Sequence, residues 1–399
     1  MKILQINCVY NKGSTGKIMY DIHSELLKSG NESVICYGRG AKTTDPSVYK
    51  VCSEIYSKFN NLLSRFTGLE YGGCHFSTSK LISVIKREKP DTVIVHCING
   101  YFVNIYNIIR FLKESKIKTV LVLHAEFMHT ANCSHAMDCM KWVSGCEKCA
   151  RYKKESKSLF FDRARYSWNR MKKSFEGFEG LKVVSVSPWL KSRAEQSPFF
   201  KGAEQHVVLN GLDTTVFKQY DTSDLELKYK TNGEKIIFYV TPKFDLSPDH
   251  IKGGYYLLEL AKRLQNENIK LLVAGQYEKG INVPDNVVLL GRVSNQAALA
   301  KYYSFSDLTV LTSKRETFSM VCAESLSCGT PVIGFKAGAP EQISIEEFSS
   351  FVEYGDVDGL VKETKKFLYE KELSCEGISK QAHIKYSKER MAEEYIRLL

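Results

Sequence analysis

Short apolar runs alternate along this chain with stretches whose apolar residues fall at helical spacing, and the alternation occurs in both halves. KILQIN (residues 2–7), SVICYG, DTVIVH (91–96), KTVLVLH (118–124) and KVVSVS read as strands in the first half. Between them, KIMYDIHSELLKSG, SKLISVIKREK, NIYNIIRFLKES and PWLKSRAEQ read as amphipathic helices. The second half restarts with KIIFYV (235–240), KLLVAG, NVVLLG, DLTVLTS and TPVIGF. GYYLLELAKRLQ, SNQAALAKYY and a helix through Met320 to Ser327 are interleaved with them. Brief apolar runs separated by amphipathic helices are strands of a parallel sheet, because only a crossover returns the chain to the same edge.

At 399 residues the chain exceeds one ordinary core and fits two domains of roughly 200 residues each. The expected architecture is α/β, two Rossmann-like domains facing each other across a cleft. The expected boundaries are 1–212, with a Cys-rich insertion near 126–150, and 213–385. A C-terminal helix in 386–399, SKERMAEEYIRLL, is expected to pack back on the first domain. The polar stretch in 213–232 marks the hinge. No apolar run approaches the ~18 residues of a membrane span. Gln5 and Asn7 interrupt the first apolar stretch, so no secretory h-region is read there and the cytoplasm is the expected compartment. The net charge of +11 is spread over clusters such as RYKKESK and RARYSWNRMKK. It fits either solvated helix faces or attraction to an anionic membrane surface, and no nucleic-acid module accompanies it.

KGSTGKIMY, from Lys12, invites a phosphate-loop reading. Such a loop needs four residues between its glycines and Ser or Thr after the lysine. Only Ser14 and Thr15 separate Gly13 from Gly16, and Ile18 follows Lys17, so the reading fails. A glycine-rich strand-to-helix turn remains, whose amides can face an anion.

The most specific stretch is RETFSMVCAESLSCGTPVIGFKAGAPEQI, residues 315–343. Seven residues separate Glu316 from Glu324 across a helix start. The amides near Phe318, Ser319 and Met320 offer a positive dipole end to a phosphate. A carboxylate on that helix can accept from two ribose hydroxyls. Taken alone, the two glutamates also read as a cap and a solvated charge.

This stretch resembles the E-x7-E signature of retaining, nucleotide-sugar-dependent glycosyltransferases of the GT-B fold (glycosyltransferase family 4-like), and the resemblance extends over nearly the whole chain. NGLDTTVF (210–217) is similar to the family's interdomain crossing, and YVTPKFDLSPDHIKGG (239–254) to its basic phosphate loop. Lys243 and Lys252 then match the diphosphate-binding pair. Lys243 stands where the family usually has Arg, a point charge in place of a planar fork. The resemblance implies that Glu316 meets the donor sugar and Glu324 the ribose. It also implies that Gly291-Arg292-Val293 lies by the base and that Gly13 and Gly16 let backbone approach donor phosphates or acceptor. IVHCINGYFVNI and VLHAEFMHTANC resemble the subgroup that builds O-antigen, capsule or colanic acid chains. There His124 matches the histidine that approaches the transferred sugar, with His96 as the weaker candidate. Glu126 reads either as an acceptor-site group or as a surface charge. The implied partners are a nucleoside-diphosphate sugar and a lipid-linked oligosaccharide, on the inner face of the cytoplasmic membrane. Lys243, Lys252 and the helix start would stabilise the departing diphosphate with no metal required there. A nucleotide-sugar epimerase on the same fold, or a non-enzymatic component of a polysaccharide assembly complex, are the alternatives.

Of twelve cysteines, four crowd together as Cys133, Cys139, Cys146 and Cys149. The count suits a structural zinc site; reduced thiols packing a loop suit the same residues.

Overall fold

Every strand pair in the computed structural model, which describes residues 1–399, runs parallel. The chain divides into two compact units, Met1–Leu209 with Met391–Leu399, and Asn210–Arg390. In the first unit the strands are β1 (Lys2–Val9), β2 (Glu32–Arg39), β3 (Val48–Lys50), β4 (Thr92–Val95), β5 (Lys118–Leu123), β6 (Leu181–Ser185) and β7 (Glu204–Val207). They lie in the order β3-β2-β1-β4-β5-β6-β7. β4 is buried at every residue and β5 at all but its first, as strands covered on both faces by crossover helices must be.

The second unit repeats the design with β8 (Lys235–Lys243), β9 (Ile269–Gln276), β10 (Val287–Gly291), β11 (Leu308–Leu311), β12 (Val332–Phe335) and β13 (Ser349–Val352). Their order is β10-β9-β8-β11-β12-β13. Ile237, Leu257, Leu271, Val310, Ile333 and Leu360 join strand and helix faces in one core. The strand order reverses direction between β1 and β4 in the first unit and between β8 and β11 in the second.

The division falls three residues before the expected 212/213 boundary and five after 385/386. Backbone bonding accounts for the shift. Leu212 N–H donates to Tyr386 O at 2.8 Å and Lys388 N–H to Leu212 O at 3.0 Å, while Lys388 Nζ pairs with Asp213 at 2.6 Å. Residues up to Arg390 are thereby tied into the second unit. The helix Lys388–Leu398 then carries the chain into the first, where Lys182 Nζ donates to Leu398 O at 2.9 Å.

The structure sharpens two local readings. GSTGK, read as a strand-to-helix turn, forms the first turn of the helix Gly13–Lys28. A Cβ on Gly16 would stand 3.0 Å from Val9 Cγ2 and 3.2 Å from Val9 O, a tight fit, so the glycine eases close helix–strand approach. Glu126 is no surface charge. It is fully buried, paired with the Arg193 guanidinium, and accepts the Ala136 N–H at 2.7 Å. Burial alone would raise its pKa, but His129 and Arg193 outweigh burial and hold it below the usual carboxylate range. Arg193 also lies over the rings of Trp142 and Trp189 at 5.2 and 5.3 Å, so one guanidinium fastens the insertion after β5 to the helix Pro188–Ala194. Removing it strands a buried carboxylate. Arg193→Ala should lower unfolding stability by about 3 kcal/mol or more in denaturant titration, and an unchanged midpoint would refute this role.

Candidate functional site

In the second unit the side chains singled out in the sequence gather where the strand order reverses, at the carboxyl ends of β8 and β11. That is where open parallel sheets leave room for ligands. After β8 the chain loops to Lys252 and enters the helix Gly254–Arg263. Tyr239 OH donates to Lys252 O at 2.5 Å, and Thr312 Oγ1 donates to Gly253 O at 2.8 Å. Gly253 is left-handed (φ +67°), and a Cβ on it would lie 2.0 Å from Thr312 O, so only glycine lets the loop close against β11. Beyond β11, Glu316 is held by backbone on both sides: its N–H donates to Ala337 O at 2.9 Å and its C=O accepts from Ala339 at 3.3 Å. These anchors bring Lys252 Nζ to 2.6 Å from Glu316 Oε1. The two residues lie 64 apart in sequence.

The helix Met320–Ser327 begins at Ser319, whose backbone is left-handed (φ 83°) and whose Oγ accepts the Cys322 N–H. A non-glycine residue in that region is strained, and such strain persists where the surroundings over-determine it. Phe318 is buried beneath the helix start. Glu324, one turn on and partly exposed, accepts from Tyr303 OH at 3.1 Å, and burial pushes its pKa up to about 7. Lys243, at the end of β8, is paired with Asp245 at 3.1 Å and Glu278 at 2.9 Å. It lines an open pocket of about 440 Å³ with Gln276, Tyr277, Glu278 and Gly291. Arg292, next to that glycine, is exposed. Glu316, Lys252, Lys243, Glu324 and the Gly291 turn therefore lie along one edge of one sheet.

In the first unit the strand ends flanking the reversal carry a polar chain. His96 Nε2 lies 3.1 Å from Gln5 Oε1, and His96 Nδ1 lies 3.2 Å from His124 Nε2, the rings stacked with centroids 5.4 Å apart. With Gln5 Oε1 facing it, His96 Nε2 carries the proton, so His96 Nδ1 accepts the His124 Nε2–H. Burial keeps both rings neutral: His96 falls well below the ordinary histidine value, through burial and then His124, and His124 drops to about 4. His124 here is a neutral hydrogen-bonding group and not an imidazolium. Gly13 (φ +65°) opens the neighbouring helix, whose first turn has no side-chain cap and no acidic residue.

The four clustered cysteines do not fit a metal. All are free thiols, and no group of three or more His, Cys, Asp or Glu side chains could hold an ion. Their backbone serves other partners. Cys133 N–H donates to Thr130 Oγ1 at 3.0 Å, Cys139 O accepts the Trp142 indole at 2.8 Å, and Cys149 N–H donates to Asp162 at 2.5 Å. Burial raises the Cys133 thiol and takes Cys146 up to about 12, which suits packed, protonated thiols.

Several contributors escaped sequence reasoning. Gln5 orients His96; Tyr239, Thr312 and Gly253 fix Lys252; and Glu341 accepts the amides of Ala337 and Gly338 at 3.0 and 2.9 Å beside Glu316. Gln5 alone left a signal, as a polar residue inside an otherwise apolar strand run.

Two parallel-sheet α/β units, each with its polar residues at the reversal of strand order, are the architecture of the GT-B glycosyltransferases. Residues 230–389 match the family "Glycosyl transferases group 1". Over 99% of this chain and 98% of the relative, the protein is 23% identical to the putative colanic acid biosynthesis glycosyl transferase WcaC of Escherichia coli K12. Its fold is similar to that of sucrose-phosphate synthase from Thermosynechococcus elongatus, with a TM-score of 0.68 and 15% identity over 100% of this chain and 98% of that one. The Anabaena protein HepE, solved with UDP and glucose, is likewise similar, with a TM-score of 0.64 and 15% identity over 100% and 98%.

Glu324 makes a stability prediction. Its folded pKa of about 7 exceeds the unfolded value near 4.5, so the folded state binds the extra proton and stability falls as pH rises from 4.5 through 7. Glu324→Gln should match the parent near pH 4. At pH 8 it should melt roughly 2–6 °C higher, allowing for partial solvent access. Equal melting at pH 8 would refute the buried-charge account.

Proposed function

We propose that this glycosyltransferase moves a sugar from a nucleoside-diphosphate donor, with retention at the anomeric carbon, to a growing lipid-linked bacterial surface polysaccharide. The single observation that carries the reading is the Lys252–Glu316 pair at the strand reversal of the second unit. It supplies a cation and a carboxylate beside a helix start, with Glu324 one turn further. In this reading Glu324 accepts the ribose hydroxyls, Glu316 binds the donor sugar, and Arg292 and the Gly291 turn receive the base. As the bond to the anomeric carbon breaks, positive charge grows on the sugar and negative charge on the diphosphate. Lys252, Lys243 and the amides of Ser319 and Met320 meet the negative charge, so the leaving group needs no metal ion.

Neutral His124 approaches the transferred sugar as a hydrogen-bonding group, held in its orientation by His96 and Gln5. The opening turn at Gly13 and Gly16 faces a phosphate. Likeness to WcaC along nearly the full chain supports an exopolysaccharide acceptor, and the HepE complex supports a UDP-type donor for this fold. No helix of the protein is long and apolar enough to cross a membrane. Work on a lipid-linked acceptor then places the enzyme peripherally on the inner face of the cytoplasmic membrane.

Two measurements test this. In a thermal-shift panel of UDP-glucose, UDP-N-acetylglucosamine, GDP-mannose and the free diphosphates, one donor should raise the melting temperature. With that donor, Lys252→Ala and Glu316→Gln should each cut transfer about 100-fold or more. Intact transfer rates in both variants would end the assignment, and donor turnover independent of acceptor would favour an epimerase.

A further inference from the structure

The helix Glu54–Thr67 is built inside out. Its buried residues are Ser57, Asn60 and Ser64, all polar. Its solvent face is Ile55 (83% exposed), Phe59 (58%), Leu62 and Phe66, at steps of four, three and four, one continuous stripe about 16 Å long. Hydrogen bonds hold it this way round. Asn60 Oδ1 accepts the Cys74 N–H at 2.9 Å and Ser57 Oγ donates to Gly100 O at 3.1 Å, so rotating the stripe inward would break both. Phe76, 81% exposed, extends the stripe at one end against Tyr56 (5.9 Å between centroids). Phe160 extends it at the other against Phe66 (6.1 Å). An apolar face of this extent, fixed outward by its own backing, marks a contact surface.

Charge identifies what covers it. Lys58 and Arg65 stand exposed on the same helix, and Arg163 lies 5.4 Å over the Phe161 ring. Leu159 N–H donates to Arg65 O at 2.8 Å, which joins the segment 151–173 to the end of the stripe. That segment carries nine Lys or Arg against two acidic residues. A second copy of a chain with net charge +11 would bring one basic rim against another. A bilayer containing anionic lipid takes both features at once, the rings entering the acyl boundary and the cations meeting headgroups. We infer that the helix Glu54–Thr67, with Phe76 and Phe160 at its ends and the basic segment 151–173 beside it, is the surface by which this protein docks on anionic membranes. The helix follows β3 and the segment's insertion follows β5, on the same carboxyl edge as His96 and His124. Docking there brings a lipid-linked acceptor to that edge, a purpose that rests on the reading above, although the docking itself needs neither donor nor acceptor.

The test uses the full chain and sucrose-loaded vesicles of phosphatidylcholine, alone or mixed with phosphatidylglycerol, with no sugar nucleotide present. The protein should sediment with the mixed vesicles, less so as salt rises. Phe59→Ser/Leu62→Ser should lower the partition coefficient at least about tenfold. Arg65→Glu/Arg163→Glu should remove the preference for phosphatidylglycerol. Both variants should melt like the parent and keep its donor-induced thermal shift, since every substituted side chain is exposed. Failure of the parent to bind mixed vesicles, or equal partition of the Phe59/Leu62 variant, overturns the proposal. So does a dimer by light scattering that the Phe59/Leu62 variant dissolves, for then a second copy covers the face. Donor shift and transfer are read separately, so loss of docking and loss of the transferase reading are told apart.

Discussion

Parallel neighbours cannot be joined by a tight turn; each strand must hand the chain to a crossover that starts at its carboxyl end. In both units this constraint puts the irregular backbone at one sheet edge. It opens a gap where successive crossovers depart to opposite sides, between β1 and β4 and between β8 and β11. His96 and His124, with Gln5 behind them in β1, occupy the first edge, Lys252 and Glu316 the second. The sheets thus act as rigid rails for groups far apart in sequence. The anchors that hold those groups, such as Tyr239 OH on Lys252 O and the Glu341 carboxylate on the Gly338 amide, are bonds from side chains to loop backbone.

Much of this was legible in advance, for a reason that particular elements show. β4 and β5 are short and apolar apart from Thr92, Lys118 and Thr119 at their starts, and such runs have few other ways to be buried. The Glu316/Glu324 spacing was legible because it depends on one helix start. The role of Gly16 was not legible because glycine signals freedom in sequence, whereas Gly16 answers to a neighbour, Val9, visible only once strand and helix pack. The helix Glu54–Thr67 went unread although its apolar residues recur every three or four positions. Periodicity tells that a face exists and not which way it turns, and the hydrogen bonds of Asn60 and Ser57 that turn it outward reach distant backbone. Glu126 illustrates the same limit: its partner Arg193 is 67 residues away.

Opposite titrations meet in the molecule. The buried histidines resist a proton that the unfolded chain would take, which favours the folded state as pH rises towards their ordinary value. Glu324 keeps a proton that the unfolded chain would lose, which acts in the other direction over an overlapping range.

The Lys252–Glu316 contact also bears on departure. Because the ammonium already has a carboxylate 2.6 Å away, an incoming anion must displace an internal competitor before it gains the full attraction of the cation. The same competitor waits beside any anion that has been bound and returns to the lysine as it loosens. A cation wired in this way holds any anion less firmly than a bare cation would, so the pair favours exchange of an anion over its retention.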